Sequence, residues 1–235
     1  MTMLAVNDVN LSYGGFQALV DITLQVKRDQ IVSILGSNGA GKSTLLKAVS
    51  GLLKPSSGSI HYDGGRIDHL DPHEIVRLGL ALVPEGRKIF PSLTVLENLL
   101  IGSYVPEARR TKDEQLENVF ELFPRLKERK GQFGSTLSGG EQQMLAIGRA
   151  LMSRPRLIVF DEISLGLSPI IVQHLYETVN QIKQRGMVVV LVEQDVKRSL
   201  RTADFAYILQ EGKIRLEGDP RGFTEEEVKK AYFGL

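Results

Sequence analysis

The sequence predicts an α/β protein whose central sheet is parallel and covered by helices. Residues 157–160 and 188–192 are continuous apolar runs, which is typical of strands buried on both faces. An amphipathic segment of helical length, residues 169–184, lies between them. A third apolar run, residues 31–35, ends at a glycine and precedes a helical segment that begins near Lys42. This alternation of strands and helices is the pattern of a parallel sheet.

Composition places the chain among ordinary globular proteins. Its 235 residues are 42% hydrophobic, which is enough for one well-cored domain. The 29 Lys and Arg residues against 28 Asp and Glu residues leave a net charge of +1, so bulk charge indicates no nucleic-acid partner. There is no cysteine, which excludes a disulfide framework and fits a reducing compartment. The sequence shows neither a signal peptide nor an apolar run of about 18 residues, so we expect no membrane span.

Further strands are predicted in the first third of the chain. Residues 4–13 and 19–26 are rich in β-branched and aliphatic residues and are separated by a pair of glycines, which predicts an antiparallel pair. Residues 59–62 and 80–83 are shorter segments of the same kind.

The pattern then changes to that of helices. Residues 95–152 have a helical pattern that is interrupted by Pro106, Pro124 and a Gly-containing stretch at 131–134. Near the end, Thr224 followed by three glutamates has capping-box spacing, which predicts a short terminal helix. We therefore expect a mainly helical segment between residues 95 and 152 and a short helix near the end.

The segment between the strand at 31–35 and the next helix resembles a phosphate-binding loop. Glycines let the backbone curl so that successive N–H groups point at phosphate oxygens, and the following helix adds the positive end of its dipole. Lys42 would reach the outer phosphates, and the Ser43 hydroxyl would bind Mg²⁺. A chance Gly-rich turn is the alternative, but the strand before and the helix after are the context that a functional loop requires. The predicted nucleoside triphosphate site consists of Gly36, Ser37, Asn38, Gly39, Ala40, Gly41, Lys42, Ser43 and Thr44.

Two acidic residues follow the buried strand at 157–160. A carboxylate at the end of such a strand lies at the carboxyl edge of the sheet, where ligands bind in open α/β folds. Asp161 would hold Mg²⁺ directly or through water, and Glu162 would orient or deprotonate an attacking water. A strand that ends in solvated charges is the alternative. The phosphate-binding loop upstream favours the functional interpretation.

A second Gly-rich segment has the sequence Leu-Ser-Gly-Gly-Glu-Gln at residues 137–142. Ser138 is a good N-cap for the helix that follows. The residues themselves leave two interpretations open. The segment is either a capped helix start or a second anion site made of exposed N–H groups, glycines and a hydroxyl.

These three motifs, in this order and spacing, resemble the ATP-binding cassette of ABC transporters. The resemblance covers nearly the whole chain, and the Leu-Ser-Gly-Gly segment is specific to that family. It implies a single ABC ATPase domain, residues 1–235. A P-loop NTPase (RecA-like) core with an antiparallel β subdomain would comprise residues 1–85 and 155–235. An inserted α-helical subdomain, residues 86–154, would carry the second Gly-rich segment.

The resemblance also implies how ATP is bound. Two cassettes face each other head to tail, and each ATP lies between the phosphate-binding loop of one and the second Gly-rich segment of the other. Tyr13 occupies the position of an aromatic residue that stacks on adenine, with an ordinary strand aromatic as the alternative. The implied contacts to the partner's nucleotide are Ser138, Gly139, Gly140 and Glu141.

Longer segments narrow the resemblance to LivF-type ATPase subunits of branched-chain amino acid importers. They are residues 83–91, 137–152, 164–169 and 192–194. Such subunits work with a second cassette, usually a different one of the LivG type, with two transmembrane permeases, and with a periplasmic or extracellular binding protein. The resemblance implies a peripheral protein on the cytoplasmic face of the plasma membrane. There it would use ATP and Mg²⁺ to power uptake of branched-chain or other hydrophobic amino acids.

Several positions depart from the general ABC pattern, among them Glu85, Gln194, Leu167 and Ile163. Glu85 stands where most members have a glutamine that senses Mg²⁺ and the γ-phosphate; a carboxylate still binds Mg²⁺ but repels phosphate. It joins Ser43 and Asp161 as an expected metal ligand. Gln194 stands where most members have a histidine, and an amide hydrogen-bonds a phosphate but cannot become a cation. We expect Glu85 and Gln194 to act with Glu162 in catalysis.

Other functions are open at this stage. The cassette never touches the cargo, so urea, amides, or a lipid or lipopolysaccharide handled by a single-cassette exporter are alternatives, and the partner cassette is either identical or different. A soluble ABC ATPase of translation, cluster assembly or DNA repair is a further alternative, although this chain has neither two cassettes nor long coiled coils. Phe90, Leu93 and Leu96 either receive a helix of a membrane subunit or pack inside the helical lobe.

Overall fold

The computed structural model describes residues 1–234, within which the strands form two β-sheets. The strands are β1 (Thr2–Tyr13), β2 (Phe16–Lys27), β3 (Ile31–Leu35), β4 (Ser57–Tyr62), β5 (Gly65–Arg66), β6 (Leu80–Val83), β7 (Leu157–Asp161), β8 (Val188–Glu193), β9 (Phe205–Gln210) and β10 (Lys213–Gly218). The helices are α1 (Lys42–Val49), α2 (Pro72–Arg77), α3 (Val95–Ile101), α4 (Pro106–Arg110), α5 (Lys112–Leu122), α6 (Pro124–Glu128), α7 (Gly139–Leu151), α8 (Pro169–Gln184), α9 (Val196–Thr202) and α10 (Glu225–Phe233). Across this described part of the chain, every helix is too short or too polar to cross a lipid bilayer.

The central sheet has the strand order β10-β9-β3-β8-β7-β6. Its inner strands pair in parallel, as the sequence predicts. The edge strand β10 is antiparallel to β9, and the sequence analysis does not predict this hairpin. The reason for it is local. Glu211 and Gly212 have positive φ angles of 49° and 73° and form a two-residue turn, a connection that joins antiparallel strands only.

The second sheet has the order β2-β1-β4-β5 and is antiparallel. The hairpin of β1 and β2 confirms the antiparallel pair predicted from the two apolar segments at the start of the chain. Other predicted elements also have the expected bounds, namely β3, β6 and α8. The α/β fold with an antiparallel β subdomain is thereby confirmed.

Both faces of the central sheet are buried. Along β7, Leu157 and Val159 belong to one hydrophobic cluster, whereas Ile158 and Phe160 belong to another. The first cluster fills the space between the central sheet, α1 and the antiparallel sheet; the second is covered by α3, α5, α7 and α8. Burial on both faces explains why β7 and β8 read as continuous apolar runs.

The helices α3 to α7 follow β6 and precede β7 in the chain, where the sequence predicts an insertion. Their buried side chains, such as Val95, Leu99 and Leu145, share one cluster with Phe160 of the central sheet. The insertion therefore packs directly against the sheet. The proposed division into residues 1–85 and 155–235 on one side and 86–154 on the other stays a prediction.

The register of the parallel strands positions the candidate site. Leu35 at the end of β3 lies opposite Glu193, and Asp161 at the end of β7 lies opposite Val192. The segments that leave these three strands therefore emerge side by side at one edge of the sheet. This edge is where open α/β sheets bind their ligands.

Two glycines with similar backbone angles allow a matched test of the packing between β1 and β4. Gly58 has a φ of 86° and a Cβ there would lie 2.4 Å from the Asp8 carbonyl oxygen; Gly64 has a φ of 84° with nothing within 4 Å. We expect Gly64→Ala to lower the free energy of unfolding by about 1–2 kcal/mol, the strain of a left-handed alanine. Gly58→Ala should lower it further because of the clash. Urea denaturation measures both, and equal losses would contradict the close approach.

Candidate functional site

A cleft of about 440 Å³ opens at the carboxyl edge of the central sheet. Its lining combines the Gly-rich loop after β3 with residues that follow β6, β7 and β8 and with the hairpin between β1 and β2. Three lining residues, Phe16, Ala18 and Leu165, were not predicted from the sequence. The other lining residues were predicted, and they are Tyr13, Asn38, Gly39, Gly41, Lys42, Ser43, Thr44, Glu85, Glu162 and Gln194.

The shape of the loop after β3 depends on two of its glycines. A Cβ on Gly36 would lie 2.5 Å from the carbonyl oxygen of Leu209 and 2.9 Å from the Cβ of Ala40. Gly41 has a φ of 104°, and a Cβ there would lie 2.9 Å from the carbonyl oxygen of Ala18. The loop is therefore packed against β2 and β9 so closely that these two positions admit only glycine.

The Lys42 ammonium lies buried at the centre of the loop. It donates hydrogen bonds to the carbonyl oxygens of Gly36 at 2.8 Å and Ser37 at 3.1 Å. It also lies 3.6 Å from Oε1 of Glu162. The structure thus brings together the predicted phosphate-binding lysine and the predicted catalytic acid.

Glu162 follows β7 and is held in a left-handed conformation with a φ of 48°. Its backbone N–H donates to the carbonyl oxygen of Val192 at 2.8 Å. Its carboxylate oxygen Oε2 accepts a 2.7 Å hydrogen bond from Nε2 of Gln194. A buried non-glycine residue with positive φ is costly and is found where the surrounding structure imposes it, often at functional sites.

Asp161 is the residue best suited to a metal ion. Burial, and after it the carboxylates of Glu162 and Glu85, raise its pKa to about 6, against the opposing effect of Lys42. Its oxygen Oδ1 is buried and has no hydrogen-bond partner among residues 1–234. A cation would satisfy this oxygen, and Ser43 lines the cleft nearby, so these residues fit Mg²⁺.

The described residues contain no group of three or more His, Cys, Asp or Glu side chains arranged to hold a metal ion.

Glu193 is a buried acid that the sequence analysis missed. It ends β8, its side chain is 2% exposed, and burial raises its pKa to about 7. Its oxygens accept hydrogen bonds from the hydroxyl of Ser164 at 2.9 Å and from the N–H of Ser164 at 3.3 Å. The signal that could have revealed it is a glutamate directly at the end of an apolar run, before Gln194.

Two aromatic residues form the outer wall of the cleft. Tyr13 is 45% exposed and its hydroxyl lies 3.4 Å from Oγ1 of Thr44. Phe16 is its partner across the turn and is 68% exposed. The sequence has an aromatic residue on each side of the Gly-Gly turn. The sequence analysis named only Tyr13, from the family resemblance.

The second Gly-rich segment lies apart from this cleft. Ser138 caps α7, and Glu141 completes a capping box by accepting hydrogen bonds from the N–H of Ser138 at 2.9 Å and from its hydroxyl at 2.8 Å. Arg129 pairs with Glu141 at 2.8 Å. A Cβ on Gly140 would lie 2.9 Å from Ile171. The expected contact of this segment with a second nucleotide stays a prediction.

Known proteins resemble this chain over its whole length. The family described as ABC transporter matches residues 19–164. The chain is 47% identical to the high-affinity branched-chain amino acid transport ATP-binding protein BraG of Pseudomonas aeruginosa, over 99% of this chain and 100% of that protein. It is 34% identical to the probable branched-chain amino acid transport ATP-binding protein LivF of Archaeoglobus fulgidus, over 99% of each.

Two further comparisons bear on assembly. The high-affinity branched-chain amino acid transport ATP-binding protein BraF, also of Pseudomonas aeruginosa, is 29% identical over 99% of this chain and 98% of that protein. Among solved structures, the dimeric ATP-binding cassette MJ0796 bound to ADP and Pi has a TM-score of 0.78 and 29% identity. That match covers 94% of this chain and 100% of the cassette.

The raised pKa of Glu193 predicts a pH-dependent stability. Glu162 and Asp195 face Glu193 and raise its pKa, whereas the hydrogen bonds from Ser164 lower this pKa. The phenol of Tyr176 also lies nearby. Between the usual pKa of 4.5 and about 7, the folded chain binds more protons than the unfolded chain. The stability that Glu193 contributes is therefore complete below pH 4.5 and is lost as the pH rises through 7.

A Glu193→Gln variant removes this titration. We expect the Tm of the variant minus that of the wild type to be several degrees larger at pH 8 than at pH 5. About 1 kcal/mol moves the Tm of a chain of this size by about 2–4 °C. Calorimetry at the two pH values measures the difference. Glu177→Gln, at an exposed site on α8, is the matched control. An unchanged gap between variant and wild type would contradict the raised pKa.

Proposed function

Because the chain belongs to the ABC transporter family, we propose that it is the ATP-binding and ATP-hydrolysing subunit of an importer for branched-chain or other hydrophobic amino acids. The observation that carries the proposal is the contact of Lys42 and Gln194 with one carboxylate, that of Glu162, within a cleft floored by the phosphate-binding loop. The identity to BraG over the whole chain supports the cargo class.

ATP binding follows from the loop and the cleft walls. Backbone N–H groups of residues 36–44 bind the phosphates, and Lys42 exchanges its loop carbonyl contacts for the outer phosphates. Tyr13 stacks on the adenine, with the exposed ring of Phe16 beside it. The Ser43 hydroxyl and the unpaired oxygen of Asp161 hold Mg²⁺, which neutralises charge on the phosphates.

Hydrolysis needs a base close to the γ-phosphate. Glu162 lies beside the lysine that binds this phosphate, so its carboxylate orients and deprotonates the attacking water. Gln194 holds Oε2 of the carboxylate through its amide, and Oε1, which lies 3.6 Å from Lys42, contacts the water once Lys42 binds the phosphate. Glu85 lies exposed in the same cleft, where it contributes a further carboxylate to the metal side.

A second cassette completes the site. None of residues 138–141 lines the cleft of its own chain, so they serve the nucleotide of a partner, and the partner's segment closes over ATP bound here. The dimeric form of MJ0796 supports this arrangement. Pseudomonas aeruginosa has two branched-chain ATP-binding proteins, and this chain is far more similar to BraG than to BraF. A different, LivG-type cassette is therefore the proposed partner.

The remaining partners are two membrane permeases, and through them a periplasmic or extracellular binding protein. The chain would lie on the cytoplasmic face of the plasma membrane. The proposed contact is the segment after β6, where Phe90 is 45% exposed beneath the guanidinium of Arg149. Leu93 and Leu96 are half-buried, so Phe90 offers the larger free apolar surface to a membrane-subunit helix.

A Glu162→Gln variant tests the chemistry. It should bind MgATP with the affinity of the wild type but lose turnover by about two orders of magnitude or more, because general-base catalysis contributes about 10²–10⁴-fold. Nucleotide binding and phosphate release are measured on the transporter purified through a tag on this chain. Glu177→Gln, at an exposed glutamate remote from the cleft, should behave as wild type. Near wild-type turnover of Glu162→Gln would contradict the role of Glu162.

Uptake by cells tests the cargo. A host that lacks this chain should lose high-affinity uptake of leucine, isoleucine and valine and regain it with the wild-type chain but not with Glu162→Gln. Urea and short amides serve as competing cargoes in the same assay. Loss of urea or amide uptake with normal leucine uptake would assign the cassette to a different importer.

A further inference from the structure

Consecutive residues at the end of β8 hold the segment that follows β7. The carbonyl oxygen of Val192 accepts the N–H of Glu162, and the amide of Gln194 holds the carboxylate of Glu162. Between them, the carboxylate of Glu193 accepts both the hydroxyl and the N–H of Ser164. The pairing of β7 and β8 is thus continued by side chains beyond the last backbone pair.

Glu193 is an unusual choice for a purely structural anchor. Its carboxyl is 2% exposed, and none of the ion pairs among residues 1–234 includes it. Its charged neighbours Glu162 and Asp195 are acids, so they disfavour its ionised form. Burying an acid beside other acids is costly, and a smaller neutral side chain would avoid that cost.

The loop that Glu193 holds contributes two residues to the cleft. Glu162 and Leu165 both line it, and Ser164 lies between them in the chain. Glu162 has a positive φ of 48°, a conformation that a glutamate leaves when its surroundings permit. The hydrogen bonds between Ser164 and Glu193 lie two residues after Glu162 and restrain the chain that follows it.

We infer that Glu193 is a positioning residue for ATP hydrolysis, which acts by binding Ser164 and thereby holding the loop of residues 162–168 so that the Glu162 carboxylate faces the γ-phosphate. This inference rests on the proposed function. It separates hydrolysis from ATP binding, because the hydrogen bonds of Lys42 go to carbonyl oxygens of the loop after β3, and only its 3.6 Å contact with Glu162 involves residues 162–168.

Three variants test the anchor in the purified transporter. Ser164→Ala removes the hydroxyl bond, and Glu193→Leu removes both bonds to Ser164. Glu193→Gln is the conservative change, because its amide oxygen accepts the N–H of Ser164 and its amide nitrogen donates to the hydroxyl. Ser199→Ala is the control, since the hydroxyl of Ser199 is fully buried and contacts Tyr176 and not the loop.

We expect Ser164→Ala and Glu193→Leu to lower kcat by about three- to tenfold with an unchanged ATP affinity, the range that loss of a hydrogen bond produces. The double variant Ser164→Ala/Glu193→Leu should be no slower than Glu193→Leu alone, because both substitutions remove the same interaction. Glu193→Gln and Ser199→Ala should keep kcat within about twofold of the wild type.

Several outcomes would overturn the inference. They are a kcat within twofold of the wild type in Ser164→Ala, additive effects in the double variant, and a parallel loss of ATP affinity and kcat. If Glu193→Leu fails to fold, as its Tm would reveal, Ser164→Ala decides alone. A wild type that binds but does not hydrolyse ATP would instead contradict the proposed function, whereas an active wild type with insensitive variants contradicts only the role of Glu193.

Discussion

Parallel pairing of β7 with β8 is the constraint on which the site depends. It sets Asp161 opposite Val192, so the chain that leaves β7 emerges beside the chain that leaves β8. Glu162 and Gln194 then meet within a 2.7 Å hydrogen bond although they are far apart in the sequence. The pairing of β3 with β8 brings the phosphate-binding loop to the same edge, which places Lys42 at 3.6 Å from the same carboxylate.

Electrostatics at this edge is dominated by acids. Asp161, Glu162 and Glu193 are buried or nearly so around one buried lysine, and burial raises the pKa of Asp161 to about 6 and that of Glu193 to about 7. Such an arrangement is costly for folding, because like charges and desolvation both oppose ionisation. A bound cation would offset this cost, and perturbed carboxylates of this kind are concentrated at functional sites.

Much of the fold and of the site could be predicted from the sequence, because the relevant signals are local. The loop after β3 needs glycines at positions where any Cβ would clash, and β7 and β8 need apolar residues on both faces. The missed features had weaker local signals. The hairpin of β9 and β10 depends on a turn without the usual Asn-Gly or Asp-Gly signal. Phe16 acquires its place in the cleft only because it pairs with Tyr13 across a turn.

The sequence by itself determined the alternation of strands and helices, the Gly-rich loop after β3 and the family of the chain, since each rests on residues that are adjacent or regularly spaced. Only the tertiary structure decided which side chains meet. The link from Gln194 to Glu162 and the link from Glu193 to Ser164 both cross between strand ends, and their geometry follows from sheet register. Burial likewise depends on the folded surroundings, so the elevated pKa of Glu193 and the buried, unpaired oxygen of Asp161 exist only in the folded chain.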